Sequence, residues 1–387
     1  MNWPLQKNAV SEEEINLLIK FLKSTDKYTQ GEKVKEFEKN WSTWQGCKYS
    51  VFVNSGSSAN LILIDSLKEH YGWKENDRII LPAITWATNI SPVIQSNLEP
   101  IFVDIDLETL SFDLKDLKRK IEENENIKGI FITHLLGIPA EVATIKEICS
   151  EKQIKIFEDC CESHGAKIGD SKVGNFGEGS TFSSYFGHHM TSIEGGFVCT
   201  NNYELYKLFL LKRSHGLARA LPKEDFEKVA KENPGIDSKF LFLTHGYNLR
   251  NTELHAVIGI NQLKKLDQII KKRNENFEEY YELCKKNQER IYLIKKEGIS
   301  SFSFPFIFKE KEAYTKFKEK LKENSIEFRP IISGNLLMHP FLEKYKEGAK
   351  NLKHAKLVHE NGIYIGNNQF VKKEDFKIIN KILEEIQ

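Results

Sequence analysis

Two adjacent histidines, His188 and His189, follow a strand-like run in the segment SSYFGHHMTSIEGG, which covers residues 183–196. An imidazole ring can accept and release a proton near neutral pH. The segment therefore predicts a general base in the loop that follows a strand. A single histidine is more often a packing residue than a catalyst, so this prediction depends on other reactive groups lying nearby.

A second motif, VNSGSSAN at residues 53–60, has the composition of a phosphate-binding turn. The pattern predicts a strand end, a Ser-Gly-Ser-Ser turn and the start of a helix. The free N–H groups and the positive dipole end of such a helix attract an anion. Serine is also a favoured helix N-cap, and the motif alone does not distinguish the two interpretations.

Two further segments carry an aromatic ring and an acid at predicted strand ends. Trp86, in LPAITWATN, could stack on a flat ring, although a buried core aromatic is the commoner reason for such a residue. Asp159 follows Glu158 at the end of IKIFED, where a buried acid is costly without a cationic partner. A protonated pyridine nitrogen would be such a partner, and a plain helix N-cap is the alternative.

Taken together, these groups form the set that pyridoxal phosphate requires. They are a phosphate cradle, a stacking aromatic, a strand-end acid and a base, with Ser183 on the strand that precedes His188. The combination is far more specific than any one of its parts. We therefore predict a pyridoxal phosphate site in which a histidine stands where a lysine would be expected.

An α/β fold is needed to bring these segments together. Seven short apolar runs alternate with amphipathic helical segments, which predicts a largely parallel sheet buried on both faces. Ligands of such sheets bind beyond the carboxyl ends of the strands. The predicted strands are YSVFV (49–53), RIIL (78–81), PIFVDI (100–105), KGIFITHL (128–135), IKIFED (154–159), STFSSYF (180–186) and GFVCT (196–200).

The pattern changes in the last third of the chain. A long helix-like stretch begins at TELHAVIG, and residues 290–387 then alternate strand-like and helical segments in an α+β pattern. We expect a large cofactor-binding α/β domain at residues 1–265 and a small C-terminal α+β domain at residues 266–387.

Composition limits the classes of partner. The 387 residues are 40% hydrophobic, and 56 basic residues nearly balance 55 acidic ones, which gives no basic field for nucleic acid or a membrane surface. The start lacks an apolar signal region, and no apolar run reaches the roughly 18 residues of a membrane span. Six cysteines without a C-x-x-C pair fit reduced thiols in the cytoplasm.

The order of the motifs resembles the DegT/DnrJ/EryC1/StrS sugar aminotransferase family over nearly the whole chain. The motifs are SGSSAN, PAITWAT, FEDCCESHGA, TFSSYFGHH-x5-EGG, HGLAR and GYNLRNTELHA. The resemblance implies a fold-type I pyridoxal-phosphate-dependent transferase, similar to aspartate aminotransferase, that acts on nucleotide-linked keto sugars. It also implies a homodimer in which each subunit completes the active site of the other.

The resemblance assigns roles residue by residue. Gly56, Ser57, Ser58 and Ser183 would hold the cofactor phosphate, and Asn248 would reach the phosphate of the neighbouring subunit. Trp86 would stack on the ring, Asp159 would pair with the ring nitrogen, and Glu162 stands where family aminotransferases carry glutamine. The sugar side would be lined by His215, Arg219, Arg329 and Asn335, while Arg250 would contact a phosphate or brace the dimer. Ordinary surface salt bridges are about as good an interpretation of these last residues.

The chain departs from the family pattern at one position. Aminotransferases place the cofactor-binding lysine six residues before the glutamate of the EGG triplet, and six residues before Glu194 is His188. Histidine cannot hold the cofactor covalently, but it can still transfer a proton. His189 is the weaker candidate because the spacing selects His188.

This exchange is typical of a subgroup, the 3-dehydratases of 4-keto-6-deoxy hexoses. SSYFGHHMTSIEGG and FRPIISGNL are most similar to members that act on GDP-4-keto-6-deoxy-D-mannose for colitose and lipopolysaccharide O-antigen. Glutamate would convert pyridoxal phosphate to pyridoxamine phosphate, and His188 would then move the proton that allows the C3 hydroxyl to leave. Hydrolysis would release ammonia and a 3,6-dideoxy-4-keto sugar.

Three other functions share parts of this pattern. A sister group with the same exchange uses an iron–sulfur cluster, which needs four cysteine thiolates. No cysteine lies between Cys199 and Cys284, where that group has its clustered ligands, so we expect no metal. The chain could instead be an aminotransferase that uses histidine, or a non-catalytic sensor that binds the cofactor.

Overall fold

A seven-stranded sheet occupies the centre of the large N-terminal part of the chain. The computed structural model describes residues 3–349 and 351–386, so the outer limits of the two expected domains, residues 1 and 387, lie outside the described residues. The sheet has the order β1-β9-β8-β5-β4-β2-β3. Only β9 runs antiparallel to its neighbours, which confirms the largely parallel sheet. The strands are β1 (Tyr49–Val53), β2 (Arg78–Pro82), β3 (Glu99–Val103), β4 (Ile127–Thr133), β5 (Lys155–Asp159), β6 (Lys167–Ile168), β7 (Ser171–Lys172), β8 (Ser180–Ser183) and β9 (Gly196–Thr200).

The sheet strands are buried on both faces, and most of their residues are apolar. β8 and β9 are buried along their whole length, and β1, β2, β3 and β5 are buried at every position but the first. Helices on the two sides supply the apolar surface that such a sheet needs. The short β6–β7 hairpin, which the apolar pattern did not predict, pairs only with itself.

The helices of this part follow the strands in the expected alternation. α3 begins directly after β1, where Ser55 caps the helix by accepting a hydrogen bond from the backbone N–H of Ser58 at 3.1 Å. The helices are α1 (Glu12–Ser24), α2 (Glu32–Gln45), α3 (Gly56–Tyr71), α4 (Ala87–Gln95), α5 (Leu114–Glu123), α6 (Val142–Ser150), α7 (Tyr203–Arg213) and α8 (Lys223–Glu232).

The C-terminal part is an antiparallel three-stranded sheet with helices. It follows α9 (Glu253–Lys286), a helix of 34 residues that runs through the boundary expected at residue 265. Val51 in β1 and Phe304 in β10 belong to one continuous buried cluster, so the two parts share a core. The remaining elements are β10 (Ser303–Ile307), α10 (Lys311–Glu323), β11 (Phe328–Pro330), α11 (Lys353–Asn361), β12 (Gly362–Gly366) and α12 (Phe376–Glu385).

Across residues 3–349 and 351–386, no helix combines enough length with enough apolar character to cross a bilayer.

Candidate active site

A cavity of about 410 Å³ lies at the carboxyl ends of the central parallel strands, between the large sheet and the small one. Thr133, Asp159 and Ser183 are the last residues of β4, β5 and β8, and all three line the cavity. Arg329 and Tyr364 of the C-terminal sheet form the opposite wall. The site therefore lies where the strand pattern predicts it.

The first turn of α3 forms one end of the cavity. Ser55, Gly56 and Ser57 line it, and Ser55 caps the N–H of Ser58, which leaves the N–H groups of Gly56 and Ser57 without a helix partner. A Cβ atom on Gly56 would lie 2.7 Å from the Cβ of Ser183, so only glycine allows β8 to approach the helix start. The turn thus presents backbone donors and hydroxyls to an anion. Ser58 does not line the cavity, and its Oγ accepts from Ser55 at 3.0 Å.

Asp159 is held by donors on both carboxylate oxygens. Its Oδ2 accepts from the amides of Asn60 at 3.0 Å and Asn89 at 2.7 Å, and its Oδ1 accepts from the Cys161 N–H at 2.8 Å. Its side chain is buried at the cavity wall. Such an anion is oriented to meet a positively charged nitrogen inside the cavity.

Glu158, the neighbour of Asp159, points to the other face of the sheet. It accepts hydrogen bonds from the backbone N–H groups of Gly174, Phe176 and Gly177 and from Nε2 of His134 at 3.0 Å. These donors satisfy a completely buried carboxylate, so Glu158 holds the 174–177 loop and not a ligand.

Trp86 is the N-cap of α4 and lines the cavity with 55% of its surface exposed. This exposure contradicts the core-aromatic interpretation, because a tryptophan that packs in the core would be covered on both faces. The indole is therefore available to stack on a flat ligand.

His188 and His189 differ sharply in environment. His188 lines the cavity, and its ring packs against the ring of Phe302 with centroids 5.3 Å apart. Burial, together with the charge of Arg273, lowers the pKa of His188 to about 3, so the imidazole is neutral at physiological pH. His189 is 1% exposed, does not line the cavity, and its Nε2 lies 3.1 Å from both the carbonyl and the hydroxyl of Ser300.

Glu162 lies in the cavity wall beside the backbone of Leu136, whose N–H donates to Oε2 at 2.9 Å. Burial raises the pKa of Glu162 to about 8, and the charge of Asp159 acts in the same direction. A protonated Glu162 has a hydroxyl donor, as the amide of glutamine has an N–H donor, so near neutral pH it can imitate the glutamine of family aminotransferases.

The N-terminal segment forms a part of the site that the sequence did not predict. Leu5 and Gln6 line the cavity. Trp3 anchors the segment because its indole N–H donates to the carbonyl of Gly366 at 2.9 Å, and the N–H of Leu5 donates to Glu327 at 3.0 Å. The sequence carries no local signal for this, since the contact joins opposite ends of the chain. The further lining residues that were not predicted are Asn60, Thr88, Asn89, Thr133, His134, Leu135, Cys161, Tyr185, Gly187, Glu194, Phe302, Ser303, Ile332, Tyr364 and Gly366.

Of the predicted sugar-side residues, Arg329 alone lines the cavity. Asn248, His215, Arg219 and Arg250 are exposed and lie outside its wall, with Arg250 donating to Asn248 at 3.0 Å. Asn335 is buried, and its Oδ1 caps a short helix by accepting from the N–H of Leu337 at 3.0 Å.

The sheet order, the cavity and the histidine that faces it define a class. The fold is that of the fold-type I pyridoxal-phosphate-dependent transferases. The chain belongs to the DegT/DnrJ/EryC1/StrS aminotransferase family, which it matches over residues 8–384.

Several relatives are similar over their full length. The chain is 37% identical to GDP-4-keto-6-deoxy-D-mannose 3-dehydratase of Yersinia pseudotuberculosis, and the match covers 100% of this chain and 99% of that protein. A solved GDP-4-keto-6-deoxymannose-3-dehydratase with a trapped PLP-glutamate geminal diamine is 33% identical, with a TM-score of 0.90 and coverage of 99% and 100%. A histidine-to-asparagine variant of that kind of enzyme, with bound GDP-perosamine, is 33% identical with a TM-score of 0.88 over 99% and 100% of the two chains.

Proposed function

We propose that this protein is a coenzyme B6-dependent 3-dehydratase of a nucleotide-linked 4-keto-6-deoxy hexose. The substrate is GDP-4-keto-6-deoxy-D-mannose, and glutamate is the amino donor. The names of full-length relatives at 33–37% identity support this substrate, and the glutamate adduct bound by one of them supports the donor.

One observation carries the proposal. His188 lines the cavity, and none of the described residues that line it is a lysine. A transferase that anchors its cofactor covalently needs an amine at this place, and an imidazole cannot form that bond. The cavity can therefore hold its cofactor only by non-covalent contacts.

The residues present fit pyridoxal phosphate and pyridoxamine phosphate. The turn at Gly56 and Ser57 offers backbone donors for the phosphate, and Ser183 lies against it. Trp86 offers an exposed indole face for the ring, and Asp159 offers a buried, oriented carboxylate for the ring nitrogen. When bound, the cofactor would supply an electron sink for the carbon next to its amine.

His188 is suited to move a proton in this cavity. Its imidazole is neutral near physiological pH and therefore has a free nitrogen lone pair that can accept a proton. Glu162 in the cavity wall stays mostly protonated because its pKa is about 8. Once protonated in an environment that disfavours its charge, His188 is a strong acid. It then gives the proton to the departing C3 hydroxyl.

The exposed candidates are consistent with a second subunit. Asn248, His215, Arg219 and Arg250 lie outside the cavity of their own chain. In the homodimer we propose, these four residues complete the cavity of the partner subunit, where the guanidinium groups of Arg219 and Arg250 bind the diphosphate of the substrate. Arg329, in contrast, contacts the substrate in the cavity of its own chain. Asn335 supports the loop after β11. The proposed product serves colitose and O-antigen synthesis in the cytoplasm.

Incubation of the protein with glutamate, pyridoxal phosphate and GDP-, CDP- or dTDP-linked 4-keto-6-deoxy hexoses distinguishes the three possible functions. A dehydratase releases ammonia and a sugar that has lost the C3 oxygen, with GDP preferred. An aminotransferase yields a sugar that retains nitrogen at C4, which mass spectrometry detects. A sensor protein binds the cofactor and gives neither product.

A further inference from the structure

Arg273, in α9, is a buried cation without a counter-ion. It is 3% exposed, and across residues 3–349 and 351–386 no carboxylate lies within ion-pair distance of its guanidinium. Burial lowers its pKa to about 9, which leaves it positively charged at neutral pH. Burying a charge without a counter-ion costs free energy, so we expect Arg273 to have a role that a neutral residue would not fulfil.

The guanidinium joins two walls of the cavity. Its Nη2 donates to the carbonyl oxygen of His188 at 3.3 Å, and its Nη1 donates to the carbonyl oxygen of Phe302 at 3.0 Å. His188 lies in the loop after β8, while Phe302 directly precedes β10. Both side chains line the cavity, and their rings meet at an interplanar angle of 61°. One side chain thus fastens the histidine loop to the C-terminal part.

The backbone of Arg273 is fixed in turn. Asn367 donates from its side-chain amide to the carbonyl oxygen of Arg273 at 3.0 Å and also contacts Ser301. Nε of Arg273 is buried without a partner. The guanidinium therefore donates its hydrogen bonds to the two carbonyl groups, and its charge lies close to the histidines.

That charge acts on the nearby imidazoles. Burial is the largest cause of the lowered pKa of His188 and His189, and the charge of Arg273 comes second for both. His164, whose ring centroid lies 6.4 Å from that of His188, is affected in the same direction. The other titratable or charged groups that line the cavity with His188 are His134, Asp159, Cys161, Glu162, Tyr185, Glu194, Arg329 and Tyr364.

We propose that Arg273 is a positioning residue, which fixes the backbone of His188 against Phe302 and holds a positive charge next to the imidazole that faces the cavity. The catalytic part of this inference rests on the proposed function. Arg273 does not line the cavity, so it acts through His188 and touches no reactant.

The test compares Arg273→Gln, Arg273→Lys and a matched control, Lys271→Gln, which removes one positive charge from an exposed position of the same helix. Histidine labelled with carbon-13 at Cε1 reports each imidazole titration by NMR in the cofactor-free protein. The His188→Asn variant identifies the signal of His188. This readout does not depend on any enzymatic activity.

We expect His188 of the unaltered protein to titrate at least about one pH unit below the usual 6.5. Arg273→Gln should raise the titration midpoint of His188 by at least about one pH unit. Arg273→Lys should keep the midpoint close to that of the unaltered protein, and Lys271→Gln should leave it unchanged. An unshifted signal in a folded Arg273→Gln variant overturns the proposal. If neither Arg273 variant folds, a titration of the unaltered protein at or above 6.5 overturns it.

Turnover then separates positioning from simple stability. Arg273→Gln should lower kcat by about ten- to a hundredfold with little change in KM for the sugar, because a displaced base slows the proton transfer and not binding. An unaltered protein that does not dehydrate the sugar, with the NMR shift present, would refute the proposed function and leave the positioning role intact. Normal dehydration without the NMR shift would refute the positioning role of Arg273 and leave the proposed function intact.

Discussion

His188 and His189 are neighbours in the chain, but only His188 faces the cavity; His189 is buried against Ser300. A turn over residues 185–188 leads into the pair, and in it the N–H of His188 donates to the carbonyl of Tyr185 at 3.0 Å. The two histidines therefore form a natural pair for mutagenesis, one in the site and one in the core.

Replacing His188 by asparagine should abolish dehydration while the cofactor still binds. The amide retains polarity and small size but cannot carry a proton, so kcat should fall by at least about a hundredfold. Ammonia release measures turnover, and absorbance titration measures the affinity for pyridoxal phosphate. Full turnover in this variant would remove His188 from the mechanism.

His189→Gln is the matched control. Glutamine can still reach Ser300, but the buried ring is lost, which should cost about 1–3 kcal/mol of unfolding free energy. Turnover per folded molecule should stay within a few-fold of the unaltered protein. A collapse of turnover in a folded His189→Gln variant would mean that the wrong histidine has been assigned.

Replacing His188 by lysine should allow covalent attachment of pyridoxal phosphate. The site disfavours a cation, as the lowered pKa of His188 indicates, so a lysine there should be largely uncharged and nucleophilic. Borohydride reduction followed by peptide mapping should place the label at residue 188 in the variant. A label on one particular lysine of the unaltered protein would contradict the non-covalent site.

Much of the fold and part of the site could be predicted from the sequence, because both depend on local signals. Buried parallel strands are short apolar runs, and their carboxyl ends meet at one edge of the sheet. For this reason the pattern predicted the seven strands of the sheet. It also predicted that Asp159, Ser183 and His188 lie close together, and all three line one cavity.

The rest depends on contacts between distant parts of the chain. Tyr364 lines the cavity because the C-terminal sheet packs beside the large one, and Gln6 lines it because the N-terminal segment is bound to that small sheet. The two carbonyl partners of Arg273 likewise come from distant parts of the chain. Alternation along β5 implies opposite faces for Glu158 and Asp159, but burial on both faces hides which one meets the ligand.

Asp159→Asn should weaken cofactor binding by at least about tenfold. The change removes the negative charge that we propose to face the ring nitrogen, and an amide cannot accept fully from both Asn60 and Asn89. Binding is measured by absorbance titration. Glu158→Gln, the control on the other face of β5, should lower Tm but leave this affinity nearly unchanged. Equal losses of affinity in the two variants would contradict the assignment of Asp159.

Glu162→Gln should change how stability depends on pH. The pKa of Glu162 is raised from 4.5 to about 8 in the folded protein, so between these values the unfolded chain is ionised there while the folded protein holds the proton. Folding then binds a proton, and the contribution of Glu162 to stability is present at low pH and declines as pH rises toward 8. Glutamine cannot ionise, so it removes this decline.

The Tm of Glu162→Gln minus that of the unaltered cofactor-free protein should therefore grow between about pH 5 and pH 8 and level off above that range. Glu319→Gln makes the same charge change at an exposed position and should give a nearly constant difference. Glutamine keeps an oxygen for the N–H of Leu136, so loss of that hydrogen bond cannot produce the trend. A constant difference for Glu162→Gln would mean that Glu162 is ionised in the folded protein, and it could not then donate a proton to a ligand as glutamine donates its amide hydrogen.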